Sequence, residues 1–212
     1  LKFRGINYRA DIWLNGKRIA GADHVIGTFR GYDLDVTCRV APRGANVLAL
    51  EIFAPRPDDL SLTFIDWNPV PPDDGMGLWQ PVELYGTGPV ALKHPFLYGE
   101  FEPGCWERVA LNLRTQLVNN SVKAVVCRLT VRIDNRVLRR QVRLAPRAGR
   151  CVRFKPDAFP EMRLDRPRLW WPYPLGEPHL YRLELDCEVD GQMSDRAVLH
   201  CGVRDVRSRI NE

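Results

Sequence analysis

The sequence predicts an all-β protein, a partial jelly-roll β-sandwich followed by an immunoglobulin-like β-sandwich. Three observations carry the all-β prediction: period-two alternation broken by turn residues, short strand-like runs at regular spacing, and no amphipathic helical pattern of ten residues or more. Tyr8, Ala10, Ile12 and Leu14 point one way while Arg9, Asp11 and Trp13 point the other. Asn15-Gly16 follows, the dipeptide that best tolerates the positive φ of a type I′ hairpin turn. Lys17 to Ala20 is the return strand. Tyr32 to Val36 is a third segment, leading through Pro42-Arg43-Gly44 into a strand from Asn46 to Phe53. There Val47, Ala49 and Glu51 alternate with Leu48, Leu50 and Ile52.

From Ala54 to Pro81 prolines, glycines and aspartates replace the alternation, which predicts a long irregular loop. Loops of that length inside a compact domain are uncommon, and are disordered or functional. This one carries Phe64, Ile65, Trp67, Met76, Leu78 and Trp79, too much apolar surface for a solvated tail, so it is expected to pack on something. Gly86-Thr87-Gly88-Pro89 reads as a domain boundary. It separates a first domain over 1–87 from a second over 88–206. The second offers strands at Val90–Lys93, Trp106–Val118, Lys123–Ile133, Val137–Leu144, Arg150–Phe154, Leu180–Val189 and Arg196–Val206, the strand number and spacing of an immunoglobulin-like sandwich. The first has few strands for a sandwich with both faces covered. That predicts a chain beginning inside a domain, its leading strands missing.

Composition narrows the function classes. Hydrophobic residues make up 45% and charged residues 27%, an ordinary globular balance. No apolar run approaches the roughly 20 residues of a membrane span. The net charge is +5, and of 31 basic residues only Lys2, Lys17, Lys93, Lys123 and Lys155 are lysine. The arginines spread along nearly the whole chain without a recognition motif, which argues against nucleic acid. Cys38, Cys105, Cys127, Cys151, Cys187 and Cys201 form no C-x-x-C pair and have no histidine at zinc spacing, so no metal site is expected. Cys127 precedes Leu129 and Val131 in an apolar strand, the setting of a free buried thiol. His24, His94, His179 and His200 lie far apart with no nucleophile motif nearby. Nothing calls for a cofactor, and the cellular compartment stays undecided, with a secreted or periplasmic location open to the full-length protein.

Several segments carry a resemblance. FRGINYRADIWLNGKRIA, then GYDLDVT and GANVLALEIF, resemble in order the second half of the sugar-binding jelly-roll domain of glycoside hydrolase family 2. IDWNPVPPDDGMGLWQPVEL resembles the aromatic- and acid-rich loop that follows them there. LDRPRLWWPYPLGEPHLYRLEL resembles a segment of the family's immunoglobulin-like domain, and CGVRDV the strand that closes it. The resemblance spans nearly the whole chain and is weakest from Glu100 to Phe159. Asp-Trp followed by Pro-Pro-Asp and Met-Gly is most similar to the branch of exo-β-D-glucosaminidases, with parts shared by β-mannosidases and endo-β-mannosidases.

The resemblance implies accessory domains of a retaining β-glycosidase acting on β-linked carbohydrate. Such enzymes use two carboxyl groups about 5–5.5 Å apart. In the family both stand on a catalytic barrel, which 207–212 would introduce, so this chain is expected to carry no catalytic residue and to be inactive alone. The loop has two readings. In one it reaches the barrel mouth, where Asp66 accepts hydrogen bonds from a sugar hydroxyl or amine and Trp67 supplies an apolar platform. In the other Trp67 and Trp79 anchor the loop while Asp66, Asp73 and Asp74 serve turns. Trp170-Trp171-Pro172 is expected to pack rather than stack on sugar. Arg128, Arg132, Arg139 and Arg143 share the parity of an outward sheet face, which reads as solvated or domain-facing rather than as an anion site. The rival readings are a free-standing carbohydrate-binding module and a structural β-sandwich.

Overall fold

Arg9–Leu14 and Lys17–Ala20 form the expected hairpin, with Asn15 and Gly16 at φ of 52° and 76°. Both are positive, as a type I′ turn requires. The computed structural model describes residues 1–61, 69, 71–208 and 210. Its chain falls into two compact units, Leu1–Gly86 and Thr87–Glu212.

In the first unit the strands are β1 (Lys2–Phe3), β2 (Ile6–Asn7), β3 (Arg9–Leu14), β4 (Lys17–Ala20), β5 (Tyr32–Asp33), β6 (Leu48–Phe53), β7 (Gly77–Leu78) and β8 (Val82–Glu83). They pair antiparallel as β4-β3-β6, β5-β1-β8 and β2-β7. Ala10, Ile12 and Leu14 are buried, as the alternation predicts. Leu48, Leu50 and Ile52 of β6 turn inward with them, onto a core that contains Phe3, Ile6, Val25 and Tyr32. The expected strand from Tyr32 to Val36 stops at Asp33. Asp35 diverts it, because its Oδ1 accepts from the Thr37 amide at 3.0 Å and from the Thr37 hydroxyl at 2.6 Å.

The second unit contains β9 (Val90–Phe101), β10 (Arg108–Asn119), β11 (Val125–Ile133), β12 (Arg136–Leu144), β13 (Gly149–Phe154), β14 (Arg163–Asp165), β15 (Leu180–Val189) and β16 (Gln192–Gly202). One four-stranded sheet has β9 on one edge of β10 and β13 and β14 on the other. The other runs β12-β11-β15-β16. The core between them is made by Leu111, Leu113, Leu117, Leu129, Val131, Ile133, Phe154, Leu183 and Leu185. This is the immunoglobulin-like sandwich, and the fold is all-β. Among the described residues the only helix is a single 3₁₀ turn at Pro160–Met162. No helix among them is long and apolar enough to cross a membrane.

The largest departure from expectation is β9. The alternation lapses at His94-Pro95, so Lys93 reads as the strand's end, yet pairing with β10 continues to Phe101. His94 has φ of 49° and the register slips opposite Thr115, whose hydroxyl donates to the Lys93 carbonyl at 3.0 Å. A bulge of this kind displaces one residue and lets the ladder resume beyond it. The resumed part presents Phe96 and Tyr98.

Candidate functional site

Asp66 and Trp67, the expected substrate-binding pair, lie outside the described residues. The loop's two ends are described. On the leading side Asp59 is gripped by Arg9 of β3 at 2.6 Å, and its Oδ2 also accepts from the Arg56 amide at 2.8 Å. Burial pushes the Asp59 carboxyl up, but the Arg56 amide and the Arg9 guanidinium outweigh it and hold the group below its ordinary value. Arg9 is deeply seated, and its Nε has no hydrogen-bond partner among the described residues. Burial, with Asp59 beside it, raises the Tyr8 phenol.

On the trailing side Trp79 and the aspartates follow the anchoring reading. The Trp79 indole donates to the Thr28 carbonyl at 2.9 Å, and its ring meets Phe29 edge-on at 5.8 Å. Asp73 Oδ1 accepts from the Gly75 amide at 3.1 Å, while Asp74 takes the left-handed conformation at φ 51°. Asn7 of β2 ties this turn to the sheet: its Nδ2 donates to the Gly75 carbonyl at 2.8 Å and its Oδ1 accepts from Thr28 Oγ1 at 2.5 Å. Sequence reasoning missed Asn7, Arg9, Thr28 and Asp59. Their partners lie tens of residues away, and no local pattern marks such pairs.

The other candidates resolve into packing. Trp171 lies 5.3 Å from Trp106 and against Gly176, Trp170 lies against Gly202, and Arg204 reaches both tryptophan rings at 5.6 and 5.8 Å. Arg128, Arg132, Arg139 and Arg143 do share one outward face. The neighbouring β15 sets acids beside two of them. Arg128 pairs with Glu188 at 3.5 Å, and Arg132 pairs with Asp186, which Arg196 also grips at 2.6 Å. All six cysteines are free, with Cys127 and Cys187 fully buried. Among the described residues no group of three or more His, Cys, Asp or Glu is placed to hold a metal.

Residues 90–204, all in the second unit and more than half the chain, match the family model described as glycosyl hydrolases family 2. The chain belongs to glycosyl hydrolases family 2. Among family 2 relatives, the exo-β-D-glucosaminidase of Amycolatopsis orientalis is 34% identical over 212 residues, which is 100% of this chain and 20% of that protein. The exo-β-D-glucosaminidase of Streptomyces avermitilis is 32% identical over 212 residues, all of this chain and 23% of its own length. The mannosylglycoprotein endo-β-mannosidase of Lilium longiflorum is 28% identical over 239 residues, again all of this chain and 25% of that protein. The chain thus spans about a fifth to a quarter of these relatives. The crystal structure of the Amycolatopsis orientalis exo-chitosanase CsxA superposes with a TM-score of 0.89 at 32% identity, covering 99% of this chain and 24% of that one. A family 2 member from Bacteroides cellulosilyticus shares the fold at a TM-score of 0.69 and 18% identity, covering 97% of this chain and 26% of that one.

Proposed function

We propose that these two sandwiches are non-catalytic accessory domains of a retaining exo-β-D-glucosaminidase. They scaffold a separate catalytic domain that holds both carboxylates. The 34% identity over all 212 residues to about a fifth of such an enzyme carries the reading. The described ends of the loop that carries Asp66 and Trp67 are pinned by Asp59 and Trp79, which is consistent with it. On that loop Asp66 would accept a hydrogen bond from a sugar hydroxyl or amine, and Trp67 would offer a flat apolar surface.

Two assays test this. The purified 212-residue chain is expected to show no turnover of an aryl β-D-glucosaminide, and turnover would overturn the non-catalytic assignment. In the longer protein, Asp66→Ala is expected to lower kcat/KM at least about tenfold, the loss of one charge-assisted hydrogen bond. Unchanged kinetics would leave Asp66 a turn residue. The similarity to the Lilium enzyme favours a second reading, an endo-β-mannosidase scaffold. Preference of the longer protein for a β-mannoside over a β-glucosaminide would select it.

A further inference from the structure

The outer face of the β13-β10-β9 sheet carries a groove of about 450 Å³. Phe96 and Tyr98 form one side, their rings stacked with centroids 5.7 Å apart and respectively 49% and 37% exposed. Paired aromatics on an open strand face are unusual, because that face is ordinarily polar. Asn112, opposite Tyr98 in the register, lies at the base and is 5% exposed, its Nδ2 donating to the Ala110 carbonyl at 3.3 Å. Arg114 stands opposite both Phe96 and Arg153, with its guanidinium carbon 5.0 Å from the Phe96 centroid. Arg153 and Lys155 close the far side, and among the described residues no carboxylate lines the groove.

The segment that supplies Arg153 and Lys155 is cationic along its length, although its β12 part, with Arg139 and Arg143, belongs to the other sheet. From Asn135 to Pro156 there are eight cations, Arg136, Arg139, Arg140, Arg143, Arg147, Arg150, Arg153 and Lys155, and no Asp or Glu. Among the described residues none of these eight, nor Arg114, makes an ion pair with a carboxylate. The nearest acid by register is Glu100, one step along β9 beyond Tyr98 and opposite Ala110. Arg128 and Arg132 of β11, on the same outward face as Arg139 and Arg143, are each matched by a carboxylate of β15.

We infer that this groove binds an acidic oligosaccharide, a chain of pyranose rings bearing carboxylate or sulfate groups. The two stacked rings take the apolar C–H faces of consecutive sugars, and the buried Asn112 gives the polar floor that orients them. Arg114, Arg153 and Lys155 meet the anionic substituents, with Arg114 held in place by the Phe96 ring. An amine-bearing sugar has the wrong charge for this face, so the groove is a separate site from any that recognises glucosamine. The inference does not depend on the proposed glycosidase reading.

Calorimetric titration of the 212-residue chain with hexagalacturonate, its fully methyl-esterified form and inorganic polyphosphate tests it. Hexagalacturonate is expected to bind, the neutral ester at least about tenfold more weakly, and the affinity to fall between 50 and 300 mM salt as screening shortens to below about 10 Å. Phe96→Ala and Tyr98→Ala are expected to weaken hexagalacturonate binding at least about tenfold, and Tyr98→Ala to leave polyphosphate binding unchanged. Arg114→Ser should weaken both. Circular dichroism of each variant checks that the sandwich is intact, and the three side chains can be truncated one at a time. No binding of hexagalacturonate at millimolar concentration would overturn the inference. So would an affinity for it that Phe96→Ala and Tyr98→Ala both leave unchanged, since that is a bare cationic surface.

Discussion

Ser194 satisfies both backbone groups of Val90, accepting from its amide at 2.8 Å and donating to its carbonyl at 2.7 Å through one hydroxyl. The two are 104 residues apart in sequence. Ser194 is the extra residue where the β15–β16 register slips, since Cys187 faces Asp195 and Glu188 faces Met193. The bulge re-aims its side chain, so that the hydroxyl meets the first residue of β9. The adjacent Asp195 continues the seam, its Oδ2 accepting from the Leu92 amide at 2.7 Å. Ser194→Ala removes two hydrogen bonds and leaves two buried groups unsatisfied, so a loss of about 2–3 kcal/mol is expected. Urea denaturation followed by circular dichroism measures it, with the exposed Gln192→Ala as a control expected within about 0.5 kcal/mol of the parent.

Asp186 makes stability depend on acid pH. Its carboxylate is buried on β15 between Arg196 and Arg132. The hydrogen bond from Arg196 first, and that from Arg132 after it, hold the group below its ordinary value against the cost of burial. A carboxyl depressed in the folded state stabilises fully above its unfolded value of about 3.9, and that contribution fades as pH falls through the folded value. Asp186→Asn should therefore cost about 2 kcal/mol at pH 7, and the gap to the parent should shrink below about pH 4. Denaturation midpoints of the two proteins across pH 3–7 give the comparison. A gap that stays constant to pH 3 would remove Arg196 and Arg132 as the cause.

Thiol reactivity should sort by burial. Cys38 and Cys151 are exposed, while Cys127 and Cys187 adjoin each other diagonally across β11 and β15 inside the core. The neighbouring Cys127 sulfur and burial together push the Cys187 thiol far above its ordinary value, leaving no thiolate to attack a reagent. Labelling of the native chain with a thiol-reactive disulfide is expected to modify Cys38 and Cys151 within minutes. Cys127 and Cys187 should react only at the rate of unfolding, as peptide mapping of timed samples would record.

Gly5 is the seat of the Trp79 ring. A Cβ added at Gly5 would lie 2.5 Å from the indole nitrogen and 2.7 Å from its Cε2. Gly5→Ala should therefore cost about 1–3 kcal/mol by overpacking. Trp79→Phe gives up the hydrogen bond to Thr28 and vacates part of that space. The alanine should accordingly cost less in the Trp79→Phe background, and a double-mutant cycle on the isolated chain reads the coupling. Additive effects would mean that the ring moves aside freely.

What the sequence determined by itself is the local grammar. Asn15-Gly16 is a hairpin because those residues accept positive φ, and Ala10, Ile12 and Leu14 face inward because side chains alternate along a strand. The order of motifs from Phe3 to Val206 likewise pointed to the family that residues 90–204 match. Tertiary structure decided everything that depends on partners distant in the chain. The His94 bulge ends the alternation locally, yet β10 holds the continuing strand in register to Phe101. Arg9 finds Asp59, Asn7 finds Gly75, Ser194 finds Val90 and Asp186 collects two arginines only after the sheets close. The groove of Phe96, Tyr98 and Arg114 is of the same kind, since three strands must align before aromatic rings and unpaired cations share one face. Periodicity acts between neighbours in the chain, whereas these contacts are set by strand register, which the sequence encodes only through the whole packed core.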